Sequence, residues 1–422
     1  MTSLPTGLRT MAIIQAGGQG SRLDVLTRER AKPALPFAGT HALIDFPLSS
    51  LAASGIADVW VSVQFQSSSM DTYLAGGRPW DLDRSRGGFR LLTPEEGSGS
   101  PDADGFSRGN ADGLYRVRDD IRTFGADVLL ILSADHLFNV DLRPVIARHL
   151  ARGAECTLLT AEVGVQEATH QVVVSAGADG RVRGVESKPS STTNGTVASE
   201  IFLYDPTVLV GELERLHAQL QADGGGDDSG LGDGDDTGLG DFAEHLLPAL
   251  IDRGRVFAEP LPGYWKDLGR PEAYLQAHRD LLAGRVDVFD HPDRPIRSAA
   301  ATAPAAWFGE GAELQDAMVS PGARVRGRVH RSVLGPGVEI QAGAVIEDSV
   351  LLGDTLVEAG ARVRTAIIDT GVRIGRDVRV GDTPAGTRLT EGAVTLVGKD
   401  SQISPGTALQ PGARLDPGAT AD

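Results

Sequence analysis

Ala16, Gly17, Gly18, Gly20 and Ser21 form a glycine-rich stretch directly after the apolar run Met11–Ile14. Glycines this close together let a backbone turn tightly and approach a ligand without side chains in the way. The successive N–H groups of such a turn make a concave anion site suited to triphosphate oxygens. Arg22 adds a permanently charged fork, and Lys32 a second cation in Arg30-Ala31-Lys32-Pro33. Taken alone, the glycines are also compatible with a plain tight turn. The stretch has no Gly-Lys-Ser/Thr, and Arg22 and Leu23 stand where a dinucleotide fingerprint needs its last spacer and glycine. A second chemical candidate is Asp135, in Ser133-Ala134-Asp135-His136 after the run Val128–Leu132. A carboxylate at the carboxyl end of a strand can hold Mg²⁺, whose octahedron phosphates and waters complete. A helix cap is its simpler reading.

These residues need a frame. Met11–Ile14, Asp58–Val63, Asp127–Leu132, Thr157–Val163 and Ser199–Tyr204 read as strands alternating with helical segments. That order predicts a Rossmann-like, mainly parallel sheet with helices on both faces. Ligands of such sheets bind beyond the carboxyl ends of the strands, where the Gly loop would lie. Glu95 to Gly109 is too polar and Gly-rich for core, and reads as a loop over the site. Residues 223–241 form a Gly/Asp tract read as a flexible insertion, an acidic metal loop being the other option. Beyond Met318 the pattern changes. Leu334, Ile340, Ile346 and Leu352 recur every six residues, as do Ile368, Ile374 and Val380, then Val397, Ile403, Leu409 and Leu415. That period predicts a left-handed parallel β-helix of hexapeptide rungs with a narrow apolar interior. The expected organisation is an α/β domain over 9–290, a linker over 291–317 and a β-helix over 318–418.

Composition limits the class. The 422 residues suffice for two cored domains. A net charge of −17 argues against a nonspecific nucleic-acid binder. No apolar run is long enough to span a membrane, Met1 to Thr10 has no signal-peptide pattern, and Cys156 is the lone cysteine. These features together lead to the expectation of a cytoplasmic protein without membrane or nucleic-acid partners.

The Gly loop with Arg22 and Arg30-Ala31-Lys32-Pro33 resembles the signature of sugar-phosphate nucleotidyltransferases, and the whole chain resembles the ADP-glucose pyrophosphorylase (glucose-1-phosphate adenylyltransferase) family. The resemblance implies transfer of a nucleotidyl group from ATP to glucose 1-phosphate. It makes Arg22 and Lys32 triphosphate ligands, and Asp135 with Asp267, of Tyr264-Trp265-Lys266-Asp267-Leu268-Gly269, the holders of catalytic Mg²⁺. Gln64, and Ser107 with Gly109, Asn110 and Asp112 of Arg108–Asp112, correspond to residues near the nucleotide; Asn110 replaces Thr, and Ser107, preceded by Phe106, replaces Tyr.

On the sugar side the implied residues are Val172, Glu186, Ser187, Lys188, Ser199 and Asp241. Here the sequence departs from the family. Glu-Lys-Pro becomes Glu186-Ser187-Lys188-Pro189, Phe-Gly-Val becomes Gln171-Val172-Val173, and Ala-Ser-Met-Gly becomes Ala198-Ser199-Glu200-Ile201. These changes leave a different sugar or base, or a catalytically weak regulatory paralogue, as alternatives. Acyl transfer by the β-helix would need a histidine base, for which His330 is the candidate. The family also implies a homotetramer and a phosphorylated small-molecule effector, whose site Arg28-Glu29-Arg30 partly resembles.

Overall fold

The computed structural model describes residues 4–18, 20–85, 87–94, 107–223, 237–299 and 303–422. Its main sheet has nine strands: β1 (Thr10–Ala16), β2 (Asp58–Val63), β3 (Phe89–Leu92), β4 (Val128–Ser133), β5 (Cys156–Glu162), β6 (Val172–Ala176), β7 (Val182–Ser187), β8 (Thr196–Tyr204) and β9 (Val256–Pro260). Strands β3, β2, β1 and β4 run parallel, with β1 at the centre. Alternation along β1 explains its unbroken apolar run. Ala12 and Ile14 enter one core with Val59, Val61, Leu130 and Leu132, while Met11 and Ile13 enter the opposite core with Trp60, Leu129 and Ile131. A strand covered on both faces needs apolar residues at every position. The predicted strand at Ser199–Tyr204 is present within β8, but it joins β4, β5 and β6 antiparallel.

From Trp307 to Ala421 three parallel sheets of seven, six and six short strands wind into the β-helix. Val333 pairs with Val350 and Val350 with Ile367, so one turn takes seventeen residues, a residue short of three sixes. The interior is therefore Leu334, Ile340, Ile346 and then Leu351, with Leu352 turned outward. A strict count of six places Leu352 in the interior; the seventeen-residue turn puts Leu351 there instead. The first coil lies in the expected linker 291–317, and the last strand ends beyond 418. Phe308, Leu314 and Val319 of that first coil are in register with the inward Val325, Val329 and Leu334, and Phe308 and Leu314 are exposed because their strands stand at the end of the stack.

One β-helix face is not solvated. Val333, Val350, Leu352, Ile367 and Leu396 form a shared core with Leu23, Leu35, Phe37, Phe46 and Tyr274 of the α/β domain. Arg279, on helix α2 (Pro271–Leu282), donates to buried Asp348 of the β-helix through Nε at 3.0 Å and Nη2 at 2.5 Å. Between Val380 and Thr395 the chain leaves the coil, and Arg388 and Gly392 of this excursion bond to Gln166 and Glu272.

Residues 224–236 of the Gly/Asp tract, like Phe106 and residues 95–105, lie outside the described residues. The end of the tract is folded rather than a flexible insertion. Leu239 is buried in the core, and Thr237 Oγ1 donates to Asp112 Oδ1 at 2.9 Å.

Helix α1 (Asp45–Ala53) begins with a buried carboxyl. Asp45 accepts from Ala42 N at 2.9 Å and from the Tyr73 hydroxyl at 2.8 Å, beside Ser298 of the segment leading to the β-helix. Burial pushes its pKa up to about 7, against these hydrogen bonds. A carboxyl raised above its unfolded value of about 3.9 still holds a proton in the native state that the unfolded chain has released, so stability falls as pH rises between those values. Wild type should therefore lose melting temperature from pH 5 to pH 8 relative to Asp45→Asn. Parallel melting curves would reassign the group.

Candidate active site

The parallel strands end together on polar residues. Gln15 is in register with Ser62 on one side and Ser133 on the other, and all three line a cavity of about 340 Å³ at the carboxyl ends of β1, β2 and β4. Sequence reasoning missed this row, although each residue is the first polar position after an apolar run. Ala16, Gly17 and Gly18 form one wall, with Arg22 and Lys32 beside them. Gln64 lies across Gly17, where a Cβ would stand 2.8 Å from its Nε2. Gly20 and Ser21 do not line the cavity. Gly20, at φ 68°, turns the chain into the short helix carrying Arg22.

Asp135 and Asp267 meet through a two-residue ladder. His136–Leu137 pairs antiparallel with Lys266–Asp267, placing Asp267 opposite His136. Ligand atoms of Asp135, His136 and Asp267 lie within 4.8 Å of one another. Ser133 Oγ donates to Asp135, Gln171 Nε2 to Asp267 Oδ2 at 2.8 Å, and Gly269 N to Asp267 Oδ1 at 2.7 Å. Lys32 Nζ donates to Asp135 Oδ2 and stands 3.9 Å from Asp267 Oδ1, so its amine faces the carboxylates in addition to lining the cavity. His136 Nδ1 is 3.1 Å from the Ser199 carbonyl; its Nε2 is 3.7 Å from Asp135, 3.7 Å from Asp267 and 3.8 Å from Glu200. His136 and Gln171 were not among the expected site residues.

Burial alone would neutralise every member of this cluster; their mutual charges decide otherwise. It disfavours the charged forms of Lys32 and His136, yet the surrounding carboxylates hold both pKa values above their ordinary ones. Burial likewise pushes Asp135 and Asp267 up, and Lys32 with His136 more than reverses that. Glu200 goes the other way: burial raises it, Asp135 and Asp267 add to the rise, and His136 offsets only part.

Ser107, Gly109 and Asn110 close the cavity opposite the Gly loop. Gly109 abuts Gly240, where a Cβ would stand 2.3 Å from the carbonyl. Asn110 Oδ1 accepts from Phe242 N at 2.6 Å, and Asn110 N donates to Asp241 Oδ1 at 3.2 Å. Asp112 lies behind this wall, accepting from Arg108 N at 2.6 Å and Arg116 Nε at 3.1 Å, and does not reach the cavity.

Among the six residues expected on the sugar side, Lys188 and Asp241 line the cavity. Val172 packs on the core, where its strand turns it. Glu186 and Ser187 are exposed at the end of β7. Ser199 is fully buried, its hydroxyl donating to Leu159 O at 2.9 Å. The next residue, Glu200, lines the cavity instead, with Phe202 and Phe242. Arg28, Glu29 and Arg30 all meet the β-helix: Arg28 pairs with Asp416 at 2.6 Å, Arg30 with Asp369 at 2.7 Å, and Glu29 lies 3.9 Å from Lys399.

Residues 11–230 match the nucleotidyl transferase family, and residues 303–397 the GlmU-like C-terminal hexapeptide family. The chain is 31% identical to a glucose-1-phosphate adenylyltransferase of Desulfitobacterium hafniense, over 94% of this chain and 96% of that protein. It is 32% identical to one from Desulforamulus reducens, over 88% and 89% of the two chains. A Clostridium perfringens protein of the same name is 32% identical over 82% and 84%. No helix among the described residues is long and apolar enough to cross a membrane.

Proposed function

Because the chain belongs to the glucose-1-phosphate adenylyltransferase family of sugar-phosphate nucleotidyltransferases, we propose that it joins ATP and α-D-glucose 1-phosphate into ADP-glucose, releasing pyrophosphate, as in α-glucan synthesis. One observation carries the reading: Asp135, Asp267, Lys32 and Arg22 converge beside the Gly loop at the carboxyl ends of the parallel strands. A sugar-phosphate oxygen forms the new bond to the α-phosphorus as the α–β bridging bond breaks and pyrophosphate leaves. That oxygen is already ionised, so no base is needed, and catalysis consists of holding anions together and offsetting their charge.

In this reading the loop N–H groups and Arg22 take the triphosphate and steady the leaving pyrophosphate. Lys32 contributes charge from the carboxylate side, and Lys188 orients the sugar phosphate. Asp135 and Asp267 form a hard oxygen donor set without thiolates, which fits Mg²⁺. A divalent cation held there would offset charge on both phosphates. Gln171 and Ser133 fix the two carboxylates for that task. A homotetramer and a phosphorylated effector at the Arg28–Arg30 seam belong to the same reading.

The test is pyrophosphate release with Mg²⁺ over four nucleoside triphosphates and several sugar 1-phosphates. Turnover fastest with ATP and glucose 1-phosphate is expected. Another preferred pair would reassign the substrates, and silence across the matrix would favour a regulatory paralogue. Lys188→Ala should raise the KM for the sugar phosphate about tenfold or more while moving that for ATP little. An equal effect on both would reassign Lys188.

A further inference from the structure

Glu200 occupies a position that its strand has been deformed to provide. Strand β8 loses register with β5 between Ala198 and Phe202, and Glu200 sits in the gap at φ 56°, a backbone state that non-glycine residues rarely adopt. The deformation puts Ser199 into the core and brings Glu200 to the cavity wall with Lys188, Asp241 and Phe242. Bulges beside active sites re-aim side chains in this way. The Glu200 side chain lines the cavity and is 40% exposed, and its Oε2 lies 3.8 Å from His136 Nε2. Glu200 stands outside the group Asp135, His136 and Asp267, whose ligand atoms come within 4.8 Å of one another. Its carboxylate thus faces the ligand space without joining the candidate metal ligands.

We infer that Glu200 is a specificity-determining residue that accepts a hydrogen bond from a ring hydroxyl of the sugar 1-phosphate. The inference rests on the proposed reaction and deepens it, because it specifies a donor group that the sugar must present. A carboxylate in a partly dry site left without its donor costs more than an unmade neutral contact, so it discriminates against sugars lacking that hydroxyl.

The experiment compares wild type with Glu200→Met and Glu200→Gln by pyrophosphate release from ATP and glucose 1-phosphate or its 2-, 3- and 4-deoxy analogues. One deoxy analogue should lose about 10- to 100-fold in kcat/KM with wild type. The same comparison in Glu200→Met should shrink to within about threefold, the KM for glucose 1-phosphate should rise, and that for ATP should stay within about twofold. Equal discrimination by wild type and both variants would overturn the inference while leaving the reaction intact. An altered Mg²⁺ requirement with unchanged sugar discrimination would overturn it too, and assign Glu200 to the metal. If Glu200→Met does not fold, Glu200→Gln, which keeps the shape but weakens the acceptor, must show the same convergence in part. Absence of pyrophosphate release by wild type with every sugar would instead refute the reaction itself.

Discussion

Asp135→Asn is expected to lower kcat by on the order of 10³-fold with the fold intact. The substitution keeps the size of the side chain and removes a charge on which three neighbours depend. Lys32 and Ser133 both donate to this carboxylate, and His136 Nε2 lies 3.7 Å away. Burial opposes every charge in the cluster, so removing one carboxylate weakens the case for keeping Lys32 and His136 protonated. A metal held by the remaining Asp267 alone would be bound loosely and poorly placed. The checks are steady-state pyrophosphate release at several Mg²⁺ concentrations and a thermal melt. Activity within about tenfold of wild type would remove Asp135 from the proposed metal site, and a collapsed melt would make its role structural.

Gly269→Ala should cost on the order of 10²-fold in kcat while shifting the melting temperature by no more than roughly 2 °C. A Cβ at this position would stand 2.9 Å from Asp267 Oδ1, 3.0 Å from Arg22 Nη2 and 3.2 Å from Lys32 Nζ. All three atoms end flexible side chains, so each can yield and the fold should tolerate the methyl. They are also the groups proposed to hold the metal and the phosphates, and small misplacements of such groups are expensive. Full activity in the variant would mean that the three do not act in the arrangement described. A loss confined to KM would mean that Gly269 serves binding and not the chemical step.

The two cases differ in how they could be found. Asp135 follows an apolar strand and sits in a readable motif. Gly269 reads only as a turn before the helix that Pro271 opens; its closeness to Arg22, 247 positions earlier in the chain, exists only after folding. Gln171 and Glu200 are similar. Each replaces an apolar residue of the family pattern, which marks them as unusual, but nothing local says that one bonds Asp267 and the other enters the cavity.

What the sequence determined by itself was whatever depends on local regularity. Apolar runs on β1, β2 and β4 have one stable solution, a parallel sheet buried on both faces, and that solution delivers the Gly loop and Asp135 to the same edge. The recurrence of small and apolar residues likewise has one solution in stacked coils, although the seventeen-residue turn escaped a count of six because Leu351 and Leu352 are both apolar and only stacking tells which points inward. Tertiary structure alone decided which side of each strand meets the ligand. It packed Val172 of β6 against the core, and it turned Ser199 in and Glu200 out because β8 breaks its register at one point. It also joined Asp135 to Asp267 through a ladder two residues long, and fused the β-helix to the α/β domain through Val350, Ile367 and Phe37. Such contacts join residues far apart in the chain, and their energy comes from burial and charge pairing that no single segment contains.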